Sequence, residues 1–153
     1  MTDVFATGGC QCGAVRYALK AEPFGSDFCH CRMCQRAVGN VFAALADCKA
    51  EDVVWTKGRP KIFASSSVAE RGFCADCGTP LTYGPRDLPY LSVTIGSLDD
   101  PDLVPARVHF GVESRVSWLK LDDGLPQKRT GESAASAEML KDMVSNQSPE
   151  GAA

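Results

Sequence analysis

The sequence predicts a mainly β fold of short antiparallel strands with a short C-terminal helix, stapled together by bound zinc. Three observations predict it: short β-prone runs punctuated by Gly and Pro, eight cysteines gathered in close-spaced clusters, and one weak helical pattern near the end. With 153 residues, 44% of them hydrophobic, the chain can bury one core and leaves little room for two. We expect a zinc-binding β domain over residues 1–130 and a helix with a flexible tail over residues 131–153.

Residues 14–20 alternate, with Val15, Tyr17 and Leu19 on one face, and read as a strand. Further β-prone runs fall at 41–46, 53–56, 61–65, 68–73, 81–84, 90–95 and 106–112. Gly58 and Pro60, Gly78 and Pro80, Gly84 and Pro85, Asp99-Asp100-Pro101 and Pro105 separate them. Strands this short and this often interrupted argue for a folded or sandwiched sheet rather than βαβ units. Residues 32–38 fit one short helical stretch. Between Ser133 and Ser145, Met139, Leu140, Met143 and Val144 recur at helical spacing, and Asn146 to Ala153 is small, polar and expected to fray.

Composition narrows the function. A net charge of -3 and a pI near 5.3 give no pull toward nucleic acid. The longest apolar run, Val41 to Ala46, is far short of the roughly 20 residues a bilayer needs, so no membrane association is expected. The opening MTDVFATGGC has no basic or apolar signal region, which predicts a cytoplasmic location. That compartment disfavours a disulfide framework for the eight thiols.

Their spacing disfavours it too. In extended chain, residues i and i+2 project from one face with Cβ atoms about 6–7 Å apart. A disulfide wants roughly 3.5–4.5 Å, so Cys10 with Cys12, or Cys29 with Cys31, cannot pair undistorted. Zinc removes the conflict, since each Zn–S bond adds about 2.3 Å of reach. Three clusters result: Cys10-x-Cys12, Cys29-x-Cys31-x-x-Cys34 and Cys74-x-x-Cys77. The simplest division joins Cys10, Cys12, Cys74 and Cys77 as a closed four-thiolate site, structural in role. Gly13 and Gly78, each just after a pair, would let backbone amides turn toward the sulfurs. Cys29, Cys31 and Cys34 then supply three ligands, the number typical of catalytic zinc with an open position. Three thiolates outweigh the dication's charge, so the centre suits a soft incoming thiol better than a hydroxide mechanism. Cys48, or His109 from a later strand, is the alternative fourth ligand that would make this site structural as well. Otherwise Cys48 reads as a small buried hydrophobe. His30 lies between two ligands and, in extended chain, points away from the metal, toward a supporting or surface role. His109 is either an ordinary strand residue or part of a pocket.

These motifs resemble a known family. Gly9-Cys-Gln-Cys-Gly-Ala-Val-Arg-Tyr17, Cys29-His-Cys-Arg-Met-Cys-Gln-Arg-Ala-Val-Gly39 and Phe73-Cys-Ala-Asp-Cys-Gly-Thr-Pro-Leu81 occur in order. Ile95-Gly-Ser-Leu-Asp99 and His109-Phe-Gly-Val-Glu-Ser-Arg-Val-Ser-Trp118 follow. The chain is similar, over about Gly8 to Trp118, to the family of the glutathione-dependent formaldehyde-activating enzyme, shared with centromere protein V. The resemblance implies a zinc-stapled β-tent, a structural zinc on Cys10, Cys12, Cys74 and Cys77, and a catalytic zinc on Cys29, Cys31 and Cys34. It implies carbon–sulfur lyase chemistry, the reversible joining of glutathione and formaldehyde as S-hydroxymethylglutathione. Arg32, Arg36 and Arg71 flank the cysteine motifs and are the candidates to hold the carboxylates of glutathione. The partners expected are a small-molecule thiol and an aldehyde.

Two rival functions follow from the same cysteines. One is a zinc-binding protein-interaction module with both sites structural. The other is a thiol redox enzyme, which needs a free nucleophilic cysteine late in the fold. No cysteine follows Cys77, and only Cys48 is spare, so the redox reading is the weakest of the three.

Overall fold

The computed structural model describes residues 3–145, so the expected fraying of Asn146 to Ala153 lies outside the described residues. Eleven strands form two sheets among these residues. A three-stranded sheet takes β1 (Ala6–Gly9), β2 (Arg16–Leu19) and β5 (Val53–Lys57), in the order β1-β2-β5. The larger sheet is built from β3 (Gly25–Cys29), β4 (Ala43–Lys49), β6 (Lys61–Ala64), β7 (Ala69–Phe73) and β8 (Pro80–Pro85). It also takes β9 (Tyr90–Thr94), β10 (His109–Phe110) and β11 (Gln127–Lys128). Its order is β11-β10-β3-β4-β9-β8-β7-β6. Pairing is antiparallel except around β10, which runs parallel to both β3 and β11. The parallel exceptions arise because β10 and β11 return to the sheet edge after long connections instead of through hairpins.

The alternation read at Val15, Tyr17 and Leu19 is real, with all three buried. Tyr17 explains β1, a strand whose Ala-Thr-Gly-Gly composition is poor for pairing. A Cβ on Gly8 would sit 2.5 Å from the Tyr17 ring and 2.6 Å from the Ser97 carbonyl, so only glycine admits the neighbouring strand. The Tyr17 hydroxyl and Ser97 Oγ are 2.8 Å apart, and Ser97 in turn donates to the Thr94 carbonyl. On the outer surface Asp99 accepts from Thr7 and Arg16, tying the three-stranded sheet to the turn after β9.

Residues 43–46 of β4 are apolar without alternation because both faces of the strand pack against other groups. Ala46 and Cys48 enter the main core with Tyr17, Leu19, Val53, Leu81 and Val93, which joins the two sheets. Ala43 and Leu45 face the other way, into a smaller cluster with Cys29 and Cys34. That second face carries α1 (Arg32–Val38), the helix expected at 32–38. Gly39 ends it in the left-handed region at φ 65, with its N–H bonded to the Gln35 carbonyl.

α2 (Ala134–Leu140) is shorter than the helical pattern over 133–145. Ser133 caps its start, accepting from the Ser136 N–H. None of its residues is buried, so nothing extends the helix beyond two turns. The chain after it instead lies against the turn before β7, where Ser67 N–H donates to Val144 at 2.7 Å. No helix among the described residues is long and apolar enough to cross a membrane.

The joined core makes a direct prediction. Leu81 is fully buried and Leu88 is half exposed. Leu81→Ala should cost about 2–5 kcal/mol in urea unfolding of the zinc-loaded protein, whereas Leu88→Ala should cost less than about 1 kcal/mol.

Candidate metal centres

The turn between β1 and β2 presents Cys10 and Cys12, and the turn between β7 and β8 presents Cys74 and Cys77. All four sulfurs lie within 4.8 Å of one another, with Cys10–Cys12 at 3.6 Å and Cys12–Cys74 at 3.8 Å. A tetrahedron with Zn–S bonds of about 2.3 Å has sulfur–sulfur edges of about 3.8 Å, so this donor set fits zinc and is too open for a disulfide. Gly13 and Gly78 sit at φ 76 and 78 and close the two turns by donating to the Cys10 and Cys74 carbonyls. The Val15 amide reaches Cys10 Sγ at 3.2 Å. Thr79, first through its hydroxyl and then its amide, brings Cys77 down to about 6. That leaves the thiol largely ionised at neutral pH and ready for a metal.

Cys29 ends β3, Cys31 caps α1 and Cys34 lies in its first turn, and their sulfurs also fall within 4.8 Å of one another. Cys31 Sγ accepts the Cys34 N–H at 3.3 Å. Hydrogen bonds from Cys29 and then Cys34 hold Cys31 down to about 3, while the thiol of Cys29 is pushed far up by the same contacts. Without a metal the cluster therefore concentrates its charge on one sulfur; loading a dication displaces the other protons. The three thiols fit a metal with a position to spare. Neither proposed fourth ligand joins them. Cys48 is buried in the main core, its thiol toward the Ala46 carbonyl, and His109 is held elsewhere, as described below.

The arginines differ in their surroundings. Arg71 on β7 is buried; its Nη2 donates to Cys34 Sγ at 3.4 Å and its Nε to Ser65 Oγ at 3.0 Å. Its guanidinium lies 4.7 Å over the Tyr83 ring. Arg32 donates to Gln35 Oε1. Arg36 is exposed and, with Arg71, lines a cavity of about 510 Å³ between α1 and the larger sheet. Met33, Leu45, Phe63 and Tyr83 supply apolar walls, and no carboxylate side chain lines it among the described residues.

His30 does point away from the thiols, but into the interior, where it is fully buried. Its Nε2 lies 2.8 Å from His109 Nδ1, and His109 Nε2 lies 2.8 Å from Asp123 Oδ2. Burial, and then the proximity of His109, lowers His30 to about 4, so it is neutral at ordinary pH. Gln35 Nε2 donates to the His30 carbonyl at 2.7 Å and to the Ser114 carbonyl at 2.9 Å.

Sequence reasoning passed over Gln35, Tyr83 and Asp123, and also Asp27, whose buried Oδ1 has no partner among the described residues. Burial, then Asp47, pushes Asp27 up to about 8. The signal for Asp27 was an acid two residues before Cys29, hidden because Gly25 to Cys29 does not look like a strand. For Asp123 no local signal existed, since Asp122-Asp123-Gly124 reads as a turn.

Gly111 carries a test of how tightly the second cluster is held. It sits at φ 67, and a Cβ there would lie 3.0 Å from the Cys31 amide and 3.3 Å from its Cβ. Gly111→Ala should lower zinc content by up to one ion per chain, read by elemental analysis, and leave the four-cysteine centre loaded.

Residues 5–114 match the family model described as glutathione-dependent formaldehyde-activating enzyme. The chain is 31% identical over 107 residues to an uncharacterized lyase of Schizosaccharomyces pombe, covering 70% of each protein. A crystal structure of a Rhodobacter sphaeroides protein aligns with a TM-score of 0.49 at 19% identity, over 80% of this chain and 98% of that one. The family match takes in both cysteine clusters and most of the two sheets, and the chain belongs to the family of glutathione-dependent formaldehyde-activating enzymes.

Proposed function

We propose that the protein is a zinc-dependent carbon–sulfur lyase that reversibly joins a small thiol, glutathione or a relative, to formaldehyde or a related aldehyde. One observation carries the reading: Cys29, Cys31 and Cys34 converge as a set of three, with Cys48 and His109 engaged elsewhere, and Arg71, which donates to Cys34, also lines the cavity. Zinc on these three sulfurs would supply an open position at which a thiol ionises near neutral pH while keeping its nucleophilicity. In the forward direction the substrate sulfur bonds to the carbonyl carbon, the C=O π pair moves to oxygen, and a proton completes the hydroxymethyl group. With glutathione and formaldehyde the product is S-hydroxymethylglutathione.

The chain's own residues prepare this step in three ways. Arg71, beside Cys34, offsets the excess negative charge of three thiolates and so eases the approach of a fourth. Arg36 offers a cation at the cavity wall for a substrate carboxylate, while Arg32 is turned toward Gln35. Met33, Leu45 and Phe63 give that cavity apolar walls for the non-reacting part of a substrate.

Purified without chelator, the protein should carry close to two zinc ions per chain. Cys12→Ser and Cys77→Ser should impair folding, because structural zinc supplies on the order of 10 kcal/mol against a total stability of about 5–15 kcal/mol. Cys31→Ser should fold and retain one ion; unfolding as severe as in Cys77→Ser would make the second centre structural.

The chemistry is tested by cobalt in the three-cysteine site. Glutathione should change the absorption spectrum, and added formaldehyde should then give hemithioacetal faster than the uncatalysed reaction. Cys34→Ser should abolish the acceleration, and Cys48→Ser should leave it intact. Arg36→Ala should raise KM for an anionic thiol by roughly tenfold, with kcat little changed. A spectrum unmoved by any small thiol would refute an open site.

A further inference from the structure

We propose that Asp123 is a positioning residue for the three-thiol centre, acting through a line of hydrogen bonds that passes by way of His109 to His30. The inference requires that Cys29, Cys31 and Cys34 hold a metal, but does not depend on which thiol and aldehyde react there.

The line has a direction set by chemistry. A carboxylate only accepts, so His109 Nε2 donates to Asp123, at 2.8 Å to Oδ2 and 3.1 Å to Oδ1. With Nε2 carrying that proton, the other ring nitrogen, Nδ1, is the acceptor, and His30 Nε2 donates to it at 2.8 Å. His30 Nδ1 is left as a lone pair, and it has no partner among the described residues. The opposite polarity would leave a buried N–H unpaired, which costs more than an idle acceptor. Both imidazoles are fully enclosed, and their rings are walled by Phe28, 5.4 Å from His109, and by Phe42, 5.6 Å from His30. Neither ring has space to swing to another partner.

The far end of this line is the backbone that carries the thiols. His30 stands between Cys29 and Cys31, so fixing its side chain on one side fixes theirs on the other. Its N–H donates to the Phe110 carbonyl at 2.8 Å. The ligand turn is thus held to β10 twice, by main chain at Phe110 and by side chain at His109. β10 has only two residues, and its outer support is the segment that follows Asp123: His109 N–H donates to the Pro126 carbonyl, and Gln127 pairs with His109. Asp123 is solvent-accessible, with 30% of its side chain exposed, and lies beyond residues 5–114 that match the family. A surface carboxylate is therefore coupled to the metal-binding turn through two buried rings.

The chain has only two histidines, so proton–nitrogen correlation spectra of the histidine-labelled, zinc-loaded protein resolve every ring nitrogen. The expected pattern is a protonated Nε2 and a bare Nδ1 on both rings. A protonated Nδ1 on either ring, or a doubly protonated His109, overturns the proposal. The second arm compares Asp123→Ala with Asp123→Asn, zinc filling the four-cysteine site and cobalt the other. Asp123→Ala should shift the cobalt bands, remove the hydrogen-bonded Nε2 proton signal of His109, and weaken metal retention at the three-cysteine site about tenfold, the usual size for a supporting partner outside the ligand set. Asp123→Asn keeps an acceptor oxygen and should restore most of each effect. Both variants should retain zinc at the four-cysteine site. A loss of thermal stability in Asp123→Ala with unchanged cobalt bands and metal retention would make Asp123 merely a turn residue and refute the idea. If Asp123→Ala fails to fold, Asp123→Asn decides: near-native bands and the stated tautomers uphold the line, and any other pattern overturns it.

Discussion

The architecture rests on sulfurs from distant parts of the chain meeting at distances that suit a shared cation. Cys12 and Cys74 are 62 positions apart and their sulfurs are 3.8 Å apart. Two thiolates at that separation repel by roughly 4 kcal/mol at an effective dielectric of about 20. Four of them cannot gather without either holding their protons or binding a dication. The β1–β2 turn and the β7–β8 turn belong to different sheets, so a metal bound at this point would close one sheet onto the other. Folding and metal loading would then be one equilibrium rather than two.

β4 decides where the chemistry goes. Its one face completes the core that joins the sheets and its other face supports α1 and the three-thiol cluster. The two centres are therefore built on different faces, one with Cys10 and Cys74 in the main core and Cys12 and Cys77 exposed, the other with Cys29 and Cys34 in the smaller cluster. Small residues at Ala43, Ala44 and Ala46 allow this double burial, because neighbouring layers can approach the strand closely from both sides.

Much of this was legible in the sequence because cysteine spacing and strand alternation are local. Paired thiols at i and i+2 or i+3 reveal a metal-binding turn wherever the fold later puts it, and Val15, Tyr17 and Leu19 show their common face without any partner. β1 and β3 were not legible, since Ala6 to Gly9 and Gly25 to Cys29 have weak strand propensity and are strands because of what flanks them. The helix at 32–38 was visible, but the one after Ser133 was overextended: its apolar spacing had no buried face to serve. Arg71 was read as a substrate contact from its place near Cys74. Its bonds to Cys34 and Ser65 depend on β7 lying across from α1, which no local pattern contains.

That placement of Arg71 resolves a charge problem in the second centre. A guanidinium at 9% exposure is costly unless a counter-charge accompanies it. Among the described residues no carboxylate forms an ion pair with Arg71; the group in reach is the sulfur of Cys34, which becomes anionic when a metal displaces its proton. Conversely, three thiolates exceed the two charges of a zinc ion by one, and a substrate thiolate would raise the excess to two. The buried cation removes one unit of it. Arg71 and the metal-thiolate centre thus offset each other's burial, and Tyr83 lies under the guanidinium plane to keep it aimed at Cys34. Lysine would carry the same charge, but without the planar fork that bonds Ser65 and Cys34 at once. The choice of arginine follows from geometry as much as from charge.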